Sequence, residues 1–333
     1  MSELRQNVIT REWVIITPER SKRPDQFIRG SFEKNETPMT APDCPFCVGN
    51  EEMTLVEKFR ISDGINWRVR VVPNNFPALR IKGDRVRNME GVYRSMTAVG
   101  HHEVVIEHPL HNMTLALMKE AEVADVLTAY RQRYAEIKND DRVEAIIIFK
   151  NHGESAGTSL VHPHSQIVAT PIVPGQIRNR MDEAIRYFDD TGECVCCRTI
   201  RDELKAKERI VCSTNWFVAL IPYAALSPFH TWIFPLRHAS SFDEMTDLEL
   251  TDLARCLRTV LAKLYHGLNN PDFNYSIRSI PTREARAEFF HWYLTIVPRV
   301  TKAAGFEIGS GMYVNTALPE ESADFLRRVD VGE

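Results

Sequence analysis

Two Cys-x-x-Cys turns, each followed by two histidines at matching distances, constrain this chain more than any other feature. The first is Cys44-Pro-Phe-Cys47, with His111 and His162 downstream; the second is Cys194-Val-Cys-Cys197, with His238 and His291 downstream. His111 and His162 are 51 positions apart (162 − 111), and His238 and His291 are 53 apart (291 − 238). The segments between these landmarks match as well. The strand-like run Trp67-Arg-Val-Arg-Val-Val-Pro73 corresponds to Trp216-Phe-Val-Ala-Leu-Ile-Pro222, and Glu103-Val-Val-Ile-Glu107 to Thr231-Trp-Ile-Phe-Pro235. A helical stripe of Leu115, Val123, Leu127, Tyr130, Tyr134 and Ile137 is answered by Leu250, Leu253, Leu257, Val260, Leu261 and Leu264. Ala145-Ile-Ile-Ile-Phe149 is answered by Phe273-Asn-Tyr-Ser-Ile277, and the stretch from His162 to Thr170 by Phe290 to Pro298. Self-similarity on this scale predicts two copies of one unit. The expected fold class is α+β: two halves, 1–175 and 185–333, each an antiparallel sheet with a helix packed on it. The segment from about Ile172 to Gly192, with Pro171 and Pro174 at its start and charged residues within, is the expected connector.

The repeat carries metal chemistry. Zinc takes four tetrahedral ligands from thiolate and imidazole, and a Cys-x-x-Cys turn lets two sulfurs reach one ion. Cys44, Cys47, His111 and His162 are the candidate ligands of a first site, expected to hold zinc. Cys194, Cys197, His238 and His291 are those of a second, expected to hold zinc or iron. Four protein ligands leave no open position, so both read as structural. Cys196 competes with Cys194 or Cys197, and His101, His102 and His108 compete with His111. Incidental buried thiols and a redox dithiol are the alternatives, but repetition with histidines at matching offsets favours metal. Cys212 and Cys256 sit in apolar contexts and read as core. Seven cysteines in a chain with no apolar run of signal or membrane-span length lead to the expectation of a cytoplasmic location. A net charge of −4 over 333 residues argues against a nucleic-acid partner, and no membrane partner is expected.

The halves differ at one position. Aligning His162 with His291 sets His164 opposite Tyr293, which implies one active and one structural half. Upstream lies Asn151-His-Gly153-Glu-Ser155-Ala-Gly157-Thr-Ser159, whose small residues permit close backbone approach to an anion. Asn151, Ser159 and Gln166 supply uncharged donors. Alternation in a strand puts His162 and His164 on one side, so one can hold metal while the other enters a site. A neutral imidazole is a competent nucleophile toward phosphorus near pH 7, with Gln166 and Ser159 placed to stabilise charge on the phosphoryl oxygens. Service of both histidines as ligands is the other reading.

Taken together, Arg20-Ser-Lys-Arg23-Pro24, Cys44-Pro-Phe-Cys47, Asn74-Asn75-Phe76, His111, Asn151 through Ser159 and His162-Pro-His164-Ser-Gln166 resemble the galactose-1-phosphate uridylyltransferases, a branch of the histidine-triad superfamily. The resemblance implies two histidine-triad-like halves and a ping-pong reaction on a nucleotide sugar. His164 would be nucleotidylylated and hexose 1-phosphate released; a phosphate-bearing acceptor would then take the nucleotidyl group. It implies that Arg20, Arg23, Asn74 and Asn75 contact nucleotide or phosphates, that Asn151, Ser159 and Gln166 surround the reacting phosphoryl group, and that the protein forms a homodimer. The C-terminal run Gly305-Phe-Glu-Ile-Gly309-Ser-Gly311-Met-Tyr-Val-Asn315 departs from the best-known members and looks more like the ADP-glucose phosphorylases. Uridylyl transfer from UDP-glucose to galactose 1-phosphate is the first expectation, and adenylyl transfer from ADP-glucose to inorganic phosphate the alternative. A histidine-triad nucleotide hydrolase and a non-enzymatic zinc module are further readings.

Overall fold

A computed structural model describes residues 1–18, 27, 37–284 and 286–332; Arg20 and Arg23 lie outside the described residues. The first half contains strands β1 (Glu3–Gln6), β2 (Trp13–Ile16), β3 (Phe59–Ser62), β4 (Trp67–Pro73), β5 (Arg87–Glu90), β6 (Tyr93–Met96) and β7 (His101–Ile106). Helix α1 (Glu120–Lys138), β8 (Ala145–His152) and β9 (His164–Thr170) complete it. Helix α2 (Gly175–Thr191) leads to the second half, which contains α3 (Val195–Ala206), β10 (Ile210–Ser213), β11 (Phe217–Leu220), β12 (Thr231–Pro235) and α4 (Asp247–Gly267). It continues through β13 (Phe273–Arg278), β14 (Tyr293–Pro298), α5 (Gly305–Ser310), β15 (Tyr313–Asn315) and α6 (Pro319–Arg328). The connector is thus mostly helix, one that buries little beyond Ile177 and Ala184.

The repeat is visible strand by strand. One ten-stranded antiparallel sheet among the described residues runs β10-β11-β12-β14-β13-β8-β9-β7-β4-β3. Read outward from its middle, β8-β9-β7-β4-β3 mirrors β13-β14-β12-β11-β10. The fold is mixed α and β with antiparallel pairing, as the sequence predicts, but the halves do not keep separate sheets. They join where β8 pairs with β13, with Asn151 opposite Asn274 and Lys150 opposite Tyr275. A smaller sheet joins β1, β2 and β15, and β5 and β6 form a hairpin.

Strand alternation assigns the two faces of the large sheet. Ile146, Ile148, Ile167, Ala169, Tyr275, Ile277, Leu294 and Ile296 face the helices and share one core with all twelve residues of the predicted stripes. Each of those twelve is at most 4% exposed, so each contributes on the order of 1.5–3 kcal/mol of burial. α4 starts at a capping box: Thr246 Oγ1 accepts from Glu249 N at 3.2 Å and Glu249 Oε2 accepts from Thr246 N at 2.8 Å. The opposite face carries the cysteine turns. Cys44, Phe46 and Cys47 pack with Trp67, Val72, Val104 and Ile106 in one half. Cys194 and Cys196 pack with Val218, Leu220, Trp232, Phe234 and Tyr293 in the other. Between these two clusters the sheet face stays open.

Candidate active site and metal centres

The four predicted ligands of each half converge. In both sets the candidate ligand atoms lie within 4.8 Å of one another. Cys47 Sγ is 3.5 Å from His111 Nδ1 and 3.6 Å from His162 Nδ1, and Cys197 Sγ is 3.3 Å from His238 Nδ1 and 3.4 Å from His291 Nδ1. Two ligands on a tetrahedral zinc with ordinary Zn–S and Zn–N lengths stand about 3.5 Å apart, so both sets fit the ion. The surrounding hydrogen bonds fit too. His162 Nε2 donates to His108 O at 2.8 Å, His238 Nε2 to Ala287 O at 3.2 Å and His291 Nε2 to Pro235 O at 3.0 Å. Each leaves Nδ1 free of its proton and turned to the cysteines, as a ligating histidine requires. Burial pushes the Cys44 thiol up, opposed by a hydrogen bond from the Phe46 backbone, so Cys44 favours its neutral form unless a cation is bound.

The competing residues have other partners. His101 Nε2 meets Asp140 Oδ2 at 3.0 Å, and His108 Nδ1 accepts from Leu110 N at 3.0 Å. Cys196 is buried in the second cluster without joining its ligand set. Cys212 and Cys256 pack in the helix-side core, 3.9 Å apart.

His164 opens β9 and Tyr293 opens β14, the equivalent strand. His162 precedes the strand instead of sharing it, with Pro163 between; the Pro163 carbonyl accepts from Glu107 N at 3.1 Å. His164 Nδ1 donates to His162 O at 2.8 Å, which fixes the ring and leaves Nε2 as the unprotonated nitrogen. Burial pulls its pKa below the usual imidazole value, opposed by the hydrogen bond to His162. Phe46, from the first cysteine turn, packs 5.5 Å from the His164 ring and 6.0 Å from His162. Phe46 therefore packs on both the first Cys/His cluster and the His164 ring.

A cavity of 370 Å³ opens in front of His164. Asn151, Gly153, Thr158, Ser159, His162 and His164 line it from the first half, and Asn270 and Asp272 from the second. Gly153 has φ +84°, and a Cβ there would overlap the Asp272 carboxylate, whose Oδ2 accepts from Ser155 N at 2.8 Å. Gly153→Ala is expected to cost about 1–3 kcal/mol of stability and to raise KM through the displaced loop, as calorimetry and steady-state kinetics would read.

Three predicted contact residues sit elsewhere. Gln166 does not line this cavity: its Oε1 accepts from His102 Nε2 at 2.7 Å. His102 Nδ1 accepts from Ala78 N at 3.0 Å, and Asn74 Nδ2 lies 3.2 Å from His102 Nε2, so His102 gathers Asn74 and Gln166 into one patch. Asn75 is exposed and donates to Met53 O at 3.3 Å. The C-terminal run forms α5 and β15; Phe306 and Ile308 are exposed, and β15 pairs with β2.

Behind His164, on the helix side, lies a polar network that the sequence reading missed. Lys150 Nζ donates to Glu107 Oε2 at 2.5 Å and to the His164 carbonyl at 3.0 Å. Tyr130 Oη donates to Glu107 Oε1 at 3.2 Å, and the Ser165 and Tyr275 hydroxyls each lie 2.5 Å from the same phenol oxygen. The only available signal was a lysine inside the apolar run of β8. Both charged side chains are at most 1% exposed, so Lys150→Met strands a buried carboxylate. It is expected to lose about 3–5 kcal/mol in urea unfolding, with part regained in the Lys150→Met/Glu107→Gln double variant.

Known proteins resemble the chain over nearly its whole length. The family model described as the galactose-1-phosphate uridyl transferase N-terminal domain matches residues 1–174, and that for the C-terminal domain matches residues 180–329. An ADP-glucose phosphorylase of Arabidopsis thaliana is 37% identical over 99% of this chain and 93% of its own length. A galactose-1-phosphate uridylyltransferase of Thermotoga maritima is 30% identical over 99% of both. A crystal structure of an ADP-glucose phosphorylase from Arabidopsis thaliana with bound ADP-glucose superposes with a TM-score of 0.85 at 34% identity, covering 100% of both chains. Fold and relatives together define an enzyme of the nucleotidyltransferase type. The chain belongs to the galactose-1-phosphate uridylyltransferase family. No helix among the described residues is long and apolar enough to cross a membrane.

Proposed function

We propose that this enzyme transfers the nucleotidyl group of a nucleotide sugar through a covalent bond to His164. The observation that carries the reading is the His164 ring itself: held by Nδ1, neutral, and with Nε2 directed to a cavity edged by Asn151 and Ser159. His164 Nε2 attacks the α-phosphorus and breaks its bond to the bridging oxygen, and hexose 1-phosphate leaves with that oxygen. An acceptor phosphate oxygen then attacks the same phosphorus, and the imidazole leaves as the free base. Lys150 and Glu107 hold the strand carbonyl behind the ring, and Asn151 and Ser159 supply hydrogen bonds to the phosphoryl oxygens. The two Cys₂His₂ sets hold structural metal, zinc in the first and zinc or iron in the second. Residues 1–175 form the active half and 185–333 the supporting half. Gln166, Asn74 and Asn75 act at the edge of the substrate site, with Arg20 and Arg23 contacting nucleotide or phosphate. A homodimer in the cytoplasm is the expected state.

The 37% identity to an ADP-glucose phosphorylase favours ADP-glucose as donor and inorganic phosphate as acceptor. The 30% identity to a galactose-1-phosphate uridylyltransferase supports the second reading, UDP-glucose with galactose 1-phosphate. Steady-state assays with both donors, each with both acceptors, separate them. Phosphate-dependent formation of ADP and glucose 1-phosphate is the expected result. Turnover of UDP-glucose only with galactose 1-phosphate would select the second reading, and nucleoside monophosphate as main product with either donor would make the enzyme a hydrolase.

A further inference from the structure

A second cavity, 230 Å³, lies mostly over the strands of the second half, with Thr10, Glu12, Phe149 and Asn151 of the first half completing its wall. Arg180 from α2, Arg278 from β13 and Tyr293 from β14 line it, with His230 and Thr295 beneath and Glu12 on the wall. Three buried atoms in it have no hydrogen-bond partner: Arg180 Nη1, Arg278 Nε and Tyr293 Oη. Tyr293 is 2% exposed. Among the described residues, neither arginine forms a salt bridge; burial and the neighbouring Arg180 pull the Arg278 pKa down, outweighing Glu12, which attracts Arg278 only at longer range. His230 adds no charge, since burial pulls its pKa down to about 3; its Nε2 lies 2.7 Å from Thr295 Oγ1 and 2.9 Å from Trp232 Nε1.

Two guanidiniums and a phenol left unpaired inside a protein each carry a desolvation cost that a bound anion would offset. Planar guanidinium donors flanking a hydroxyl suit a tetrahedral oxyanion with several acceptor oxygens. We propose that this cavity is a second, non-catalytic site that binds a phosphate-class dianion between Arg180, Arg278 and Tyr293. Tyr293 takes the strand position that His164 takes in the first half, so this site lacks the nucleophile and holds its ligand without turnover. It is also separate from the reacting centre. Arg278 lies four residues along β13 from Asn274, which pairs with Asn151 beside β9. That places it roughly 13 Å along and about 10 Å across the sheet from His164, beyond the reach of one phosphate. The cavities share Asn151 as a wall, and Asn274 Nδ2 donates to Asn151 Oδ1 at 2.8 Å.

Two measurements on the full chain test the site, and neither depends on the identity of the donor. Crystals soaked in tungstate, a heavy tetrahedral anion, should show an anomalous peak within hydrogen-bond distance of both arginines, whether or not a second peak appears near His164. In solution, calorimetric titration with inorganic phosphate, and in parallel with glucose 1-phosphate, should show a binding event that Arg278→Met weakens roughly tenfold or more; the ligand giving the tighter event identifies the source. Arg278→Met removes an unpaired buried charge and should fold; Arg180→Met, on the more exposed α2, provides the same test independently. The proposal is overturned if no peak appears at the arginines. It is equally overturned if neither ligand shows arginine-dependent binding, in which case any crystal peak is an adventitious ion only.

Discussion

Replacing His164 with asparagine is expected to lower kcat about 10⁴-fold or more while leaving the melting temperature within a few degrees of the parent. The expected loss is large because an amide cannot form the proposed covalent intermediate, and the other imidazoles of the cavity, His152 and His162, are held by other partners: His152 Nε2 lies 2.9 Å from Asn270 Oδ1. His162 is nearest in sequence, but its Nε2 is engaged with His108 O and its Nδ1 faces the cysteines. Stability is spared because the side chain contributes one hydrogen bond, to the His162 carbonyl, and packing against Phe46. Asparagine keeps the bulk at the Cβ and a donor near that carbonyl. Activity and calorimetry on the same preparation check both halves of the expectation; a variant that retains a tenth of parental turnover would remove His164 from the chemistry.

Cys47→Ser should have the second largest effect, and of a different kind. Structural zinc sites contribute about 10 kcal/mol or more of folding free energy in small domains. Cys47 Sγ meets both histidines of its set and also accepts from Ala41 N at 3.3 Å. Loss of this ligand is expected to reduce bound metal from two ions per chain to one and to lower the melting temperature by about 10 °C or more. Activity should fall with it, because Phe46 in the same turn packs on His164. Cys197→Ser should also lose one ion but keep more activity, since its turn packs beside Tyr293 and not beside His164. Elemental analysis, melting curves and turnover on the two variants distinguish the centres.

The difference in legibility between metal and polar network has a physical origin. The two Cys/His clusters announce themselves because thiol and imidazole at short spacings have few other uses, and the repeat supplies an internal control. The helical stripes were equally readable, since each apolar residue had only to lie on one face. Pairing between halves was not: the join of β8 to β13 sets Asn151 against Asn274, and neither residue advertises a partner more than a hundred positions away. The Lys150–Glu107 pair was hidden for a similar reason, as Lys150 lies within β8 and Glu107 directly after β7, two segments read for their apolar members. The sequence places Gln166 near the phosphoryl group as an uncharged donor in the His162–Gln166 run; in the fold His102, two strand positions from the residue paired with Gln166, meets its Oε1. Alternation gave the right face but could not show which neighbour on that face would claim the side chain.

A covalent nucleotidyl-His164 intermediate is tested most directly by the intact mass of the protein after exposure to ADP-glucose without acceptor, followed by peptide mapping. A mass increase of one adenylyl group, located on the peptide at His164 and discharged by inorganic phosphate as ADP, is the predicted result. An unmodified protein with both ADP-glucose and UDP-glucose, or an adduct that persists in His164→Asn, would contradict it.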